Sequence, residues 1–288
     1  MSVAPPASGR MLRAGTRGIK GTGWVGGVCI GIIVIAGFVA VFGAALAPHD
    51  PNAVDLSNAF VGPTAGHPLG FDLNGRDLFS RLLVGARTSM IGPLVVVTIS
   101  IVVGSLLAVA SAWLGGAFDT VTSACMDVLF AFPGILLAVL TAAVFGASLT
   151  AAAVALSVAY TPYVARVLRG AALRERTQQY IAALEVQGLS GFAICARHLV
   201  PNVAKLIVAQ GTVLFGYAMV DLAAISFIGL GVQPPQPDWG VMVAEGETGV
   251  LQGYPAESLC AGAAIMIVVI AVNVLGERLI DKAQGGSR

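Results

Sequence analysis

From Trp24 to Gly276 the chain consists of long apolar runs separated by short polar segments. Trp24–Ala47 carries no charged residue over 24 positions. An α-helix needs about 20 apolar residues to cross the hydrocarbon core, so this run predicts a membrane span with some tilt. It also exceeds the about 7–15 residues of a signal-peptide core, so it is expected to stay in place despite the small-residue pattern at Ala45–Pro48. Five further runs predict spans near Ser89–Trp113, Val128–Phe145, Leu149–Val164, Ala204–Gly229 and Leu259–Gly276. Glycine and proline inside them are compatible with membrane helices.

The polar segments divide into two sets. The first follows span one and contains HPLGFDLNGRDLFSRLLVGARTSM, His67 to Met90. Leu78, Phe79, Leu82, Leu83 and Ala86 recur there at helical spacing, predicting an amphipathic helix from Gly75 onward, on the bilayer surface or over the mouth of a pathway. Asp72 or Asn74 is expected to cap it. Asp77 and Arg81 stand at i,i+4, a pairing worth about 0.2–0.5 kcal/mol. A second segment, GVQPPQPDWG (Gly231 to Gly240), holds three prolines in four positions, Pro234, Pro235 and Pro237. Proline fixes φ and lacks an N–H donor, so a stiff, shaped loop is expected.

Between spans four and five lies the longest remaining segment, Arg166 to His198. Gly188 supplies a turn that needs positive φ. The segment Leu189–Leu199 suits a short helix, and Pro201 is expected to stop it. The result is a helix–turn–helix with apolar side chains left over, to be covered by a partner or by the chain's own helices.

Six spans put both termini on one side. Of the 16 Lys and Arg residues, 13 share that side, and only Arg76, Arg81 and Arg87 lie opposite. The positive-inside bias makes the termini and the 166–203 loop cytoplasmic, and 48–88 and 231–255 external. Within this all-α polytopic scheme, 1–23 is a cytoplasmic tail, 24–47 the first helix, 89–276 the transmembrane core and 277–288 a second tail.

Composition agrees: 57% of residues are hydrophobic and 11% charged, against roughly 25% charged in soluble domains. Cys29, Cys125, Cys195 and Cys260 form no CxxC pattern and are expected as small buried hydrophobes. There is no GxxxxGK[ST] sequence and no Gly-Lys dipeptide, hence no P-loop. His49, His67 and His198 are far apart in sequence, and no catalytic constellation or metal-ligand cluster can be placed. No catalytic residue, metal or nucleic acid is expected. Asp221 lies well inside span five and Asp127 at the start of span three; an intramembrane acid is costly, so Asp221 is a functional candidate. With so few acids, ion-coupled transport is poorly served. Gly23, Gly27 and Gly31 form a small-residue stripe that fits either a helix seam or chance in a chain with 36 glycines.

Three stretches carry a resemblance. YIAALEVQGLSGFAICARHLVPN (Tyr180 to Asn202) resembles the EAA loop of ATP-binding-cassette importer permeases, with Gly188, His198, Pro201 and Asn202 matching. Ala182 stands where the family has glutamate and Leu184 where it has its second alanine, while Glu185 lies three residues on. HPLGFDLNGRDLFSRLLVGAR (His67 to Arg87) and ISFIGLGVQPPQPDWG (Ile225 to Gly240) are similar to signatures of the C-type permease subunit of dipeptide, oligopeptide and nickel importers. Asp221 here sits one place before a glutamate often found in that family at the position of Leu222.

The resemblance implies a type I importer permease in a bacterial cytoplasmic membrane, paired with a B-type permease. It implies a coupling loop (Ala182, Ala183, Glu185, Gly188, Leu189, His198, Pro201, Asn202) docked on a cytosolic ATPase that holds ATP and Mg. It implies an external solute-binding protein, for which Arg76, Asp77, Arg81, Pro234, Pro235 and Trp239 are docking candidates. Asp221, Ser226, Phe227 and Gly229 are candidates for the pathway or gate. Di- or oligopeptides are the expected cargo, with nickel complexes and haem as alternatives.

Overall fold

The computed structural model describes the backbone of residues 22–285. Arg10, Arg13, Arg17 and Lys20, the basic residues expected on the N-terminal tail, lie outside the described residues. The described chain is helical: α1 (Thr22–Leu46), α2 (Leu78–Leu114), α3 (Gly116–Phe130), α4 (Gly134–Phe145), α5 (Leu149–Arg176), α6 (Gln179–Val186), α7 (Gly191–Ile194), α8 (Val200–Phe227), α9 (Trp239–Leu251) and α10 (Ala256–Gly285). Five helical stretches are long and apolar enough to span a membrane, and α3 with α4 make a sixth if that bent pair counts as one. Outer and inner below follow the orientation expected from the charge distribution.

Three expected boundaries change. The amphipathic helix and span two are one helix, α2, of 37 residues. Arg81 does not end the membrane helix, because its charge is matched inside the protein, as described below. The expected third span is broken into α3 and α4, which meet at 81° around Ala131–Pro133, where proline withholds an N–H. Pro201 does not stop a helix. It directly follows a π turn over Cys195–Leu199 that joins α7 to α8, where the i→i−4 bonding is already interrupted, and the helix runs on through it. In addition, α10 runs beyond Gly276 to Gly285.

The core is built on α2 and α5. Val96, Ser100, Gly104, Ala108 and Ala112 repeat every four residues on α2, and all are buried. Four-residue spacing keeps them on one face, and small side chains let the backbones approach. A Cβ on Gly104 would lie 2.7 Å from Val164 Cγ1 on α5. Beside it, the Ser100 hydroxyl donates to the Ser157 carbonyl at 3.1 Å. Leu156, Leu222 and Ile225 extend this core to α8. Met219, Trp239, Met242 and Val268 join α8, α9 and α10 in a second cluster reaching Ala36 of α1. Most of α1 stays exposed, and the Cβ positions of Gly27 and Gly31 meet nothing within 4 Å. Among the described residues the glycine stripe therefore packs against no helix at those two positions.

Candidate functional site

The segment between α5 and α8 is a loop with two faces. Ile181, Ile194 and Leu199 are buried against the protein's own helices. Val186 and Phe192 point away, 89% and 86% exposed. Gly188 has φ +80°, a conformation glycine adopts without the steric cost of a Cβ, and it turns α6 into α7. The Ser190 hydroxyl caps α7 by accepting from Ala193 N–H at 3.3 Å. Gly191 lies against Trp113, where a Cβ would come within 2.4 Å of Nε1. Arg176 stacks over the same indole, 5.3 Å from its ring, and donates to the Ala112 carbonyl at 2.6 Å.

The ends of the loop are tied together. Asn202 Nδ2 donates to Glu175 Oε1 and to the Tyr180 hydroxyl, both at 2.8 Å. The Tyr180 hydroxyl in turn donates to Glu175. His198, half-buried, faces Tyr180 with ring centroids 6.5 Å apart. Of the predicted residues, Ala182, Ala183, Glu185 and Gly188 are exposed and Leu189 is half-buried; Pro201 and Asn202 are exposed at the start of α8.

On the outer side, Arg76, Asp77 and Arg81 are not on the surface, as docking residues would be. All three are buried. Arg76 and Arg81 both donate to Glu245 Oε2 on α9, at 2.9 and 2.5 Å. Arg76 also donates to Asp72, and Arg81 Nε lies 3.7 Å from the same carboxylate. Burial works against the Arg76 charge, but the Asp72 and Glu245 carboxylates beside it hold its pKa above the ordinary value. Glu257 of α10 is buried next to this group.

Asp77, not Asp72 or Asn74, caps α2. It accepts from Ser80 N–H at 2.8 Å and from the Ser80 hydroxyl at 2.6 Å. It therefore does not pair with Arg81. Burial raises its pKa, but the bonds from Ser80 and His67 outweigh that and hold it below the usual carboxylate value. His49 and His67, distant in sequence, stack 4.1 Å apart beside Asp77. His67 Nδ1 is 2.9 Å from Asp77 Oδ1.

The proline loop folds back onto α2. Asp238 caps α9 through Gly240 N–H (2.9 Å) and accepts from the Ser89 hydroxyl (2.6 Å). Its burial pushes its pKa up. Trp239 is buried, and its indole N–H donates to the Leu82 carbonyl at 2.9 Å. Of the docking candidates on this loop, Pro234 and Pro235 are exposed; Trp239 is not. Ser226 is likewise a support. It is buried, and its hydroxyl accepts from Val232 N–H at 3.2 Å.

Asp221 is half-buried on the wall of a cavity of 380 Å³, with the Tyr160 hydroxyl donating to it at 2.5 Å. Phe227 is exposed, Gly229 makes the turn after α8 at φ +79°, and neither lines this cavity. Two arrangements escaped the sequence reading, the Arg76–Arg81–Glu245–Asp72 cluster and the stacked histidines.

The sequence profile described as "Binding-protein-dependent transport system inner membrane component" matches residues 87–283. The "Probable D,D-dipeptide transport system permease protein DdpC" of Escherichia coli K12 is 37% identical over 262 residues, covering 89% of this chain and 87% of that protein. The "Dipeptide transport system permease protein DppC" of Alkalihalophilus pseudofirmus is 34% identical, covering 88% and 83%. The "Glutathione transport system permease protein GsiD" of Escherichia coli O1:K1 is 36% identical, covering 86% and 82%. An inward-facing structure of the MetNI methionine ABC transporter matches with a TM-score of 0.52 at 21% identity, over 70% of this chain and 93% of that one, a likeness of fold. The chain belongs to the binding-protein-dependent transport system inner membrane components, the permeases of ATP-binding-cassette importers.

Proposed function

We propose that this chain is the C-type permease subunit of an importer that carries di- or oligopeptides across a bacterial cytoplasmic membrane. It lines half the pathway opposite a B-type permease. A solute-binding protein delivers cargo to the outer side. Cytosolic ATPases with ATP and Mg dock on the loop between α5 and α8. The observation that carries this reading is the two-faced loop. Its inner face is closed by Ile181, Ile194 and Leu199, while Val186 and Phe192 remain exposed on a segment fixed at both ends. An exposed apolar pair on an ordered, tied loop suits a partner's groove.

The mechanism follows from rigidity. The α7–π–α8 stretch is one continuous helical body from Gly191 to Phe227, and it carries both the loop and Asp221. A displacement of the loop by a docked ATPase therefore moves the wall of the cavity. ATP biases the pathway by binding more tightly to one of its two states. Trp113, clasped by Arg176 and against Gly191, passes the same displacement to α2.

The peptide assignment rests on relatives named for dipeptide, D,D-dipeptide and glutathione transport. Uptake competition in cells with and without the gene tests it, using dipeptides, longer peptides, glutathione, nickel complexes and haem. Gene-dependent uptake displaced by short peptides is expected. Displacement only by nickel complexes or haem would move the cargo to those classes.

A further inference from the structure

The break between α3 and α4 leaves the 380 Å³ cavity open against α5 and α8. Its wall is aromatic, with Tyr160, Tyr163, Tyr217, Phe130 and Phe132. One carboxylate, Asp221, shares that wall, and among the described residues no lysine, arginine or histidine lines it. Arg166 stands at the edge of this wall, over the Phe130 ring at 5.0 Å, where its charge is matched by Asp127; it does not line the cavity itself.

The hydroxyls of two tyrosines are also engaged. Tyr160 donates to Asp221 and Tyr163 bonds Gln210 Oε1 at 3.1 Å. These bonds fix the two side chains. A carboxylate among rings with no cation in the wall lacks its electrostatic complement. Aromatic rings attract organic cations through their quadrupole. A hard metal ion would instead want six or more oxygen ligands, which this wall does not offer. An ammonium group satisfies both the carboxylate and the rings.

We infer that this cavity receives an ammonium group of the cargo during passage, held between the Asp221 carboxylate and the rings of Tyr160, Tyr163 and Tyr217. The inference rests on the reading of the chain as a peptide-importing permease. Asp221 is then a substrate-binding residue, and Tyr160 a positioning residue that also contributes its ring.

The test uses the complete importer in proteoliposomes with its binding protein saturated by dipeptide, so that the permease limits the rate. Phenethylammonium is the probe. Its effect on dipeptide binding to the isolated binding protein is measured alongside. In the wild type it should lower the maximal uptake rate without displacing dipeptide from the binding protein. Asp221→Asn should lower the maximal rate about tenfold or more and remove the inhibition, since one charge partner is lost. Asp221→Glu should keep the inhibition in part, and Tyr160→Phe, which keeps the ring, should keep it largely. A wild-type maximal rate in Asp221→Asn, or inhibition unchanged by that substitution, overturns the inference. So does an equal loss in all three variants accompanied by lower thermal stability, which marks a structural brace. If the wild-type importer carries no peptide, the peptide reading fails instead. Phenethylammonium binding to the assembled membrane complex, followed by tyrosine fluorescence, then still decides whether the cavity takes an ammonium.

Discussion

Arg81→Met removes one of two arginines from a buried group that holds three carboxylates, Asp72, Glu245 and Glu257. Arg81 is fully buried, Asp72 and Glu257 nearly so, and the Glu245 side chain is 21% exposed. Methionine fills much of the space but offers no donor, leaving Arg76 to face three acids. Breaking a buried pair from one side costs about 3–5 kcal/mol. Protonation of a carboxylate limits the loss, so we expect about 3 kcal/mol, the lower end of that range. The cost should appear where the cluster joins the outer segment to α9. Amide exchange of residues 70–80 in nanodiscs reads it directly, because opening there exposes the α2 cap. At about 1.4 kcal/mol per tenfold, exchange should accelerate more than about a hundredfold. Arg81→Met with Glu245→Gln should recover part of the loss, since one acid leaves with one base. Acceleration below about fivefold in Arg81→Met, roughly 1 kcal/mol, would refute the view that this pairing holds the outer segment.

Gly104→Val should overpack the α2–α5 seam, where Val164 and Ala165 already touch the Cβ position, and cost about 1–3 kcal/mol in an SDS-titration unfolding assay. Trp239→Phe removes the indole donor to the Leu82 carbonyl and should cost about 0.5–1.5 kcal/mol, read as faster exchange at the start of α9. Asp77 has a folded-state pKa below the ordinary 3.8, so its stabilisation is present above that value and lost as pH falls through the folded one. Protease cleavage of the segment between α1 and α2 should rise below about pH 3.8 in the wild type, and Asp77→Asn should reduce that dependence.

Hydropathy located most spans because lipid-facing helices need only length and apolarity. It misplaced the start of α2 because the Arg81 charge counts against a membrane helix until its partner is known. That partner, Glu245, is 164 residues away. The same kind of distance hid the burial of three docking candidates. Arg76, Arg81 and Trp239 look like surface residues on a polar segment, yet each is buried by contacts with a distant helix. His49 and His67 meet because both pack beside Asp77 at the start of α2, a contact that periodicity does not encode. The loop between α5 and α8 was more legible. Its glycine turn depends on one residue's backbone freedom, and its two-sided character shows in the alternation of apolar and polar positions. Pro201 misled because proline need not stop a helix where a π turn already interrupts the i→i−4 bonding.

The most direct test of the account is ATP-driven peptide uptake by the reconstituted importer, measured together with ATPase retention on the membrane complex, for the wild type and Gly188→Pro. Proline fixes φ near −65°, incompatible with the +80° of Gly188, so the loop cannot keep its turn. The account predicts ATP-dependent uptake by the wild type, with both uptake and ATPase retention lost in the variant. Uptake without ATP, or a variant that retains its ATPase and transports at the wild-type rate, would contradict it.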